Sequence, residues 1–521
     1  MNIHMSYLYP KFILIDSKLI VLSVIILTAL CAAPMVINQS QATPVFEAIG
    51  ATDSSSPFSI GGSQGVSTSY FNPAGLSFNQ NQMIIGLVAI HQDLQLKFFT
   101  RPNSANISDR IYQAQAIDTK HEGLTTPLPS SNLRSPTLDQ EGLQQIFIQF
   151  GLLRTFWKNR ISLGLHMLLP IHRFEFQSPG FVDERAQYFN NQLKFERWGD
   201  ALEGLSMALA GAFRLNNQFS LGLGITMLNQ AIASSQVFLS DASYEGLSVV
   251  SPKVEVYSAF SPSFSLMWQN SRKSAPTMLS RKSGTAQEFI RASSSIFLTV
   301  FAPQEVNVDG ESKVKIWNYP YQDGQDSIIQ RFNQSYRTLP LRVRWGGELP
   351  LNNNKLDRSH SCWTLFSGGQ WSHWSQYKDR NSESPSWSDQ VELSAGFKWS
   401  KDTTTIASDL RWRPSPVPLQ TGRSSYVDPH QLALAINGTY PFYEKFYLKL
   451  NLQGHALLSR TDRKDPKALY PVLDEFPASV DQVSGEVIEE SLGLQSNNPG
   501  YPGYQSSGWV WIAGLHLVWY E

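Results

Sequence analysis

Cysteine, charge and long apolar runs are all scarce in this chain of 521 residues, and each scarcity closes off a class of protein. The two cysteines are Cys31 and Cys362. If Cys31 leaves with a leader, as argued below, Cys362 stands alone and no intrachain disulfide is expected. Charged residues make up 16 % of the chain, against about 25 % in ordinary soluble domains. The 42 basic side chains are balanced by 43 acidic ones, so the basic face that nucleic-acid binding requires is missing. Beyond residue 42 no stretch of about 18 apolar residues occurs, and no further helical membrane span is expected. Catalytic signatures are missing as well. There is no Walker-type phosphate loop, no G-x-S-x-G, no H-E-x-x-H and no legible Ser, His and acid set. The expectation is a protein that is not an enzyme and holds no metal or other cofactor.

Residues 1–42 read as a removable export signal. Lys11 and Lys18 precede an apolar run from Leu19 to about Ile37, and Ser40-Gln41-Ala42 forms a small-residue end. Cleavage is expected after Ala42. Leu30 stands before Cys31 where a lipoprotein signal calls for a small residue, which disfavours lipid attachment there.

What the chain has in abundance is alternation. Ser206 to Leu228 reads SMALAGAFRLNNQFSLGLGITML. Met207, Leu209, Gly211, Phe213 and Leu215 share one face, and Ala208, Ala210, Ala212 and Arg214 the other. After the polar Asn216-Asn217 turn, Phe219, Leu221, Leu223, Ile225 and Met227 oppose Ser220, Gly222, Gly224 and Thr226. Successive side chains of a strand point to opposite faces, so this is a hairpin with a greasy face and a small or polar one. A soluble sandwich puts Lys and Glu on its outer face. Ala, Gly and Ser instead suit the inside of a barrel whose outside meets lipid.

The same pattern places strands near 82–99, 143–157, 160–174, 201–215, 218–230, 255–269, 294–308, 336–350, 361–375, 388–400, 404–414, 429–441, 444–459 and 507–520. That predicts an all-β protein, a transmembrane antiparallel barrel of about 14 strands. Connections alternate in length. Short turns fall at Lys158-Asn159, Asn216-Asn217, Lys401 to Thr403 and Phe442-Tyr443, and long loops at about 100–142, 175–200, 309–335 and 460–506. Short periplasmic turns and long external loops are the outer-membrane arrangement; the connection 270–293 is long where a turn is expected. Phe156, Trp157, Trp399, Tyr440, Phe442, Tyr443, Trp519 and Tyr520 flank the short turns or the chain end, where an aromatic girdle belongs. In the last segment Trp509, Trp511, Ala513, Leu515, Leu517 and Trp519 share a lipid-facing side. Residues 43–81 are rich in Gly and Ser and lack alternation. A fourteen-strand lumen is wider than side chains alone fill, which makes it the expected home for this segment.

Several strings resemble the FadL family of outer-membrane transporters for long-chain fatty acids and other hydrophobic compounds. Ser69-Tyr70-Phe71-Asn72-Pro73-Ala74-Gly75-Leu76 is similar to that family's N-terminal hatch, and GAFRLNNQFSLGLGI (211–225) to one of its hairpins. Leu339-Pro340 leading into LRVRWGGEL, followed by Gln370-Trp371-Ser372-His373-Trp374-Ser375-Gln376-Tyr377, resembles a strand pair of the family. Ser415-Pro416-Val417-Pro418, with Arg423 and Asp428-Pro429 downstream, resembles a late loop motif. The resemblance implies a signal peptide (1–42), a hatch (43–81) and a barrel (82–521) in the bacterial outer membrane, acting as a monomer. It implies passive transport with lateral exit, and as partners a hydrophobic ligand, outer-membrane lipid and lipopolysaccharide, and the barrel-assembly machinery.

Capture of a carboxylate requires a cation facing the lumen. Arg342 and Arg344 lie opposite Leu341, Val343 and Trp345, and placing Arg toward lipid near the midplane costs about 2–4 kcal/mol, so they are expected to point inward. They are candidates for ligand contact, with pairing to Glu348 or Glu392 as the alternative. Lys449, opposite Leu448 and Leu450, is a third candidate. Arg423 is a fourth, or else pairs with Asp428 to hold its loop. Asn72, Pro73, Ala74 and Gly75 form the candidate gate turn, with the Asn72 side chain expected to bond local backbone. Rival functions are a general porin, which predicts conductance and no hatch, and a structural or adhesive barrel whose loops carry the function.

Overall fold

A strand of alternating greasy and small residues can bury one face and offer the other to lipid only if its backbone groups are paired on both edges, which in a membrane means a closed ring. The computed structural model describes residues 45–59, 65–99, 137–139, 143–157, 160–171, 206–228, 231–234, 237–241, 246–256, 259–270, 294–317, 328–351, 361–377, 384, 386–401, 404–472 and 500–521. The expected leader, most of the loops at 100–142 and 175–200, the turn Lys158-Asn159 and the connection 271–293 lie outside the described residues.

The described strands are, in chain order, β1 (Gln82–Phe98), β2 (Thr137–Asp139), β3 (Leu143–Phe156), β4 (Ile161–Pro170), β5 (Ser206–Arg214), β6 (Phe219–Leu228), β7 (Ala231–Ser234), β8 (Val237–Asp241), β9 (Gly246–Val256) and β10 (Ala259–Gln269). They continue with β11 (Ser295–Phe301), β12 (Gln304–Trp317), β13 (Ile328–Leu339), β14 (Arg342–Pro350), β15 (Ser361–Ser372), β16 (Gln390–Lys401), β17 (Thr404–Arg413), β18 (Gln431–Tyr443), β19 (Phe446–Arg463) and β20 (Gly503–Tyr520). Fourteen of them form the wall in the order β1, β20, β19, β18, β17, β16, β15, β14, β11, β10, β6, β5, β4, β3, and β3 pairs back onto β1. Every pairing is antiparallel, and the seam between first and last strand runs from Gln82 opposite Tyr520 to Phe98 opposite Tyr504. The short β2 lies against the end of β1.

The outward face is the apolar one. Leu209, Leu223, Ile296, Leu393, Ile436, Leu450, Trp511 and Leu515 are exposed on it, while Ala208, Ala210, Ala212, Ser220 and Thr226 are buried inside. From Trp519 to Trp509 the last strand takes ten steps of about 3.3 Å, which at a tilt of about 40° spans about 25 Å, the height of an outer-membrane apolar band.

Three expected strands change. The run 294–308 breaks after Phe301, and 336–350 breaks at Pro340; β12 and β13, which include much of the expected loop 309–335, leave the wall and pair with each other. Likewise 255–269 enters the wall only at Ala259. With β7, β8 and β9 these strands make a separate five-stranded sheet. Proline lacks the amide a ladder needs, so Ala302-Pro303 and Leu339-Pro340 are where the chain turns a corner. The turn expected at Phe442-Tyr443 falls at Glu444-Lys445, because β18 runs on to Tyr443.

Ahead of the wall, α1 (Val45–Ile49), α2 (Thr68–Phe71) and a 3-10 turn at Pro73–Phe78 are all but wholly buried. No helix among the described residues is long and apolar enough to cross a membrane.

Candidate ligand passage inside the barrel

The hydrogen bonds of residues 45–59 and 65–79 reach strands on all sides of the ring. Thr52 donates to Gln149 on β3 (2.7 Å), and Lys449 on β19 donates to the Asp53 carbonyl (2.7 Å). The amides of Phe58 and Ser59 both donate to Asp409 on β17 at 2.8 Å. Ala74 donates its amide to Ser265 on β10 (2.6 Å), and Ser220 on β6 donates to the Ala74 carbonyl (2.7 Å). One short piece of chain meets strands so far apart in the ring only from within the lumen.

Small residues make this approach possible. A Cβ at Gly222 would collide with the backbone of Pro73 and Ala74, so the small face of the hairpin 206–228 is the seat of the Asn72–Gly75 turn. Asn72 closes α2 through its amide, which bonds the Thr68 carbonyl. Its side-chain amide points to Met267 Sδ on β10 (3.5 Å) and not to local backbone.

Arg342 and Arg344 point inward and are buried, and both reach Glu47 in α1. Arg344 Nη2 lies 2.9 Å from Glu47 Oε2, and Arg342 donates to Glu47 Oε1. Tyr70 donates its hydroxyl to the same carboxylate (2.6 Å). Burial by itself would push the Glu47 carboxyl up; Arg344 and Arg342, with the Tyr70 hydroxyl, outweigh it and hold it down at about 2. The guanidiniums also lie over aromatic faces: Arg342 over Phe301 at 4.7 Å and Arg344 over Phe71 at 4.6 Å. Glu348 faces Lys398 at 3.6 Å.

Glu47 is the residue that strand-by-strand reading misses. The signal was present: residues 43–81 contain two carboxylates, Glu47 and Asp53, and no basic residue at all. Asp53 accepts the amides of Val66 (2.7 Å) and Ser67 (3.2 Å), tying the two described pieces of the segment together.

Farther out, the Ser415 to Pro418 motif is part of a loop cap. Ser415 donates to Asp428 Oδ2 (2.8 Å), and Arg460 donates to the Val417 carbonyl (2.8 Å). Val417 packs with Leu339, Trp374, Tyr377, Trp387 and Tyr426. The Arg423 guanidinium lies over the Tyr470 ring at 5.7 Å.

The lining of the lumen is uneven. Below the cap, the buried charged side chains of the strands are Arg342, Arg344, Glu348, Glu392, Lys398, Asp409, Arg411 and Arg413 on β14, β16 and β17, with Lys449 on β19. Val88, Ile90, Phe147, Leu168, Val510 and Ile512 on β1, β3, β4 and β20, with Phe297 and Phe301 on β11 beside β14, form one apolar cluster with Phe46, Ile49, Tyr70 and Phe71 of the inner segment. No group of three or more His, Cys, Asp or Glu able to hold a metal occurs among the described residues.

A closed fourteen-stranded ring with an apolar outer belt and a filled lumen is an outer-membrane β-barrel. No protein-family model matches the chain, and no curated protein does. Among solved structures, the chain has the fold of a Pseudomonas aeruginosa FadL homologue, with a TM-score of 0.53 at 11 % identity over 93 % of this chain and 98 % of that one. Lower scores go to the P. putida toluene transporter TodX (0.48, 9 % identity, 91 % and 98 % covered) and the CymD monoaromatic hydrocarbon channel (0.43, 9 %, 93 % and 99 %).

Proposed function

We propose that this barrel lets hydrophobic small molecules, long-chain fatty acids foremost, diffuse passively across the outer membrane. The observation that carries the reading is the apolar cluster inside the ring, built from Val88, Ile90, Phe147, Phe297, Phe301, Val510 and Ile512 against Phe46, Ile49 and Phe71. A porin lumen is polar and filled with water, and such a cluster would only obstruct it. For an acyl chain it is a favourable medium: each buried CH₂ contributes about 0.8 kcal/mol, so a sixteen-carbon tail gains roughly ten kcal/mol before ordering costs.

In this reading residues 43–81 are a hatch and Asn72–Gly75 its seating turn. The external loops capture the ligand, with Arg423 and the Ser415 to Pro418 and Asp428 motif at their base. Arg342 and Arg344 then receive the carboxylate once Glu47 has moved aside, while Lys449 steadies the hatch through Asp53. Exit is sideways through the wall. The barrel works as a monomer, inserted by the barrel-assembly machinery among lipopolysaccharide. The likeness to a FadL homologue supports the fold on which this scheme rests.

The test is binding of fatty acids of graded tail length to the refolded barrel, beside a variant lacking residues 43–81. Affinity that climbs with tail length and changes on deletion is the expected result. No binding at any length, together with open conductance in planar bilayers, overturns the reading in favour of a porin; no binding and no conductance in either form favours a structural or adhesive barrel.

A further inference from the structure

The outer wall carries a second feature where β1, β20 and β19 rise above the apolar band. Chain ends and short turns mark the periplasmic rim, so Phe98, Gly503 and Arg463 stand at the external end. Counting from Trp509, the top of the belt, Gln505 is four residues higher, and its neighbours across the sheet are Lys97 and Thr461. Gly503 is six residues higher and pairs with Arg463. With a rise of about 3.3 Å and a tilt of about 40°, Lys97 sits about 10 Å and Arg463 about 15 Å above the belt, one strand apart on either side of β20. That is the depth of lipid head groups.

Both cations are exposed, and neither has an ion pair among the described residues. Arg463 is held in place: its guanidinium lies 5.1 Å from the centre of the Phe99 ring. Phe99 in turn is seated by its amide bond to the Gly503 carbonyl (2.9 Å) and by the bare Cα of Gly503, where a Cβ would come within 2.7 Å of the ring. Two acids lie close to Lys97 in register, Asp93 opposite Trp509 and Asp139 opposite Gln95. Asp462 is buried and lies 3.1 Å from Arg460, and Asp465 accepts the amide of Lys467 (2.8 Å). Below the cations, Trp509 and Trp511 stack at 5.8 Å and face the lipid.

We infer that Lys97, Arg463 and Phe99 form a docking site on the outer wall for a phosphorylated glycolipid of the outer leaflet, with phosphate on the two cations and acyl chains along Trp509 and Trp511. Charge complementarity at head-group depth, directly over an apolar surface, is what selects an anionic amphiphile with several tails. The inference does not depend on what the lumen carries.

The experiment reads retention of lipopolysaccharide on the detergent-purified barrel by native mass spectrometry and titrates its affinity, using intact and enzymatically dephosphorylated lipopolysaccharide and phosphatidylethanolamine as probes. Two cations at about 1 kcal/mol each predict a loss of about 30-fold in affinity for K97Q/R463Q. Dephosphorylation should cost the wild type a similar factor and the variant little. The periplasmic-rim variant K445Q should bind as the wild type does, and heat-modifiable mobility on gels checks that each variant is folded. Equal affinity of wild type and K97Q/R463Q, or indifference to dephosphorylation, overturns the inference.

Discussion

At Glu47 a single carboxylate answers two guanidiniums, so removing its charge leaves Arg342 and Arg344 buried without the carboxylate that both contact. Breaking a buried pair from one side costs about 3–5 kcal/mol. Glu47→Gln is therefore expected to raise amide exchange across residues 45–59 by about a hundredfold or more while exchange in the wall strands stays unchanged; hydrogen–deuterium exchange with peptide readout checks this. Acid should do the same by titration. The Glu47 carboxyl is held at about 2, below its ordinary 4.5, so the stabilisation is present in full above about pH 4.5 and is lost as pH falls from there toward 2. Protection of 45–59 that declines above pH 5 would contradict the assignment. Gly222→Val tests the opposite kind of fit. Its side chain would enter the space of the Pro73–Ala74 backbone, at an overpacking cost of about 1–3 kcal/mol, and the expected result is a folded barrel with raised leak conductance in planar bilayers.

Individual strands were legible to the extent that their surroundings differ from one face to the other. Lipid outside and small residues inside impose strict alternation, and β5, β6, β17, β18 and β20 stand close to where the pattern puts them. Alternation does not stop where a strand leaves the wall, however, because side chains alternate along any strand. That is why 294–308 and 336–350 read as single strands, although Pro303 and Pro340 mark the corners. The segment 43–81 was legible only as a piece without alternation. Its contacts, such as Glu47 with Arg342 across 295 positions, have no local signature. Since β11 pairs directly with β14, replacing 304–339 by a short turn is expected to leave the ring closed. Retained heat-modifiable mobility checks this, and its loss would mean the outer sheet is needed for closure.

For the molecule as a whole, the outer surface and the lumen solve different problems with the same strands. The outside offers Leu, Ile and Trp to lipid over about 25 Å, and its chemistry scarcely changes around the ring. The inside is uneven. Charged side chains gather on β14, β16 and β17, while β1, β3, β4 and β20 bury apolar residues together with neutral polar ones such as Gln149, His166 and His516, and the inner segment brings Glu47 to the charged strands.

That unevenness amounts to a transverse electric field. On the strands below the cap, the buried cations Arg342, Arg344, Lys398, Arg411, Arg413 and Lys449 outnumber the acids Glu348, Glu392 and Asp409, and the carboxylates of Glu47 and Asp53 on the inner segment offset most of the surplus. Under the proposed gating, lifting that segment away would strip two negative charges from the pore. The opened barrel should then favour anions over cations, with a reversal potential of matching sign across a salt gradient, and a molecule with a negative head and a neutral tail should be turned crosswise, head toward β14, before any close contact forms.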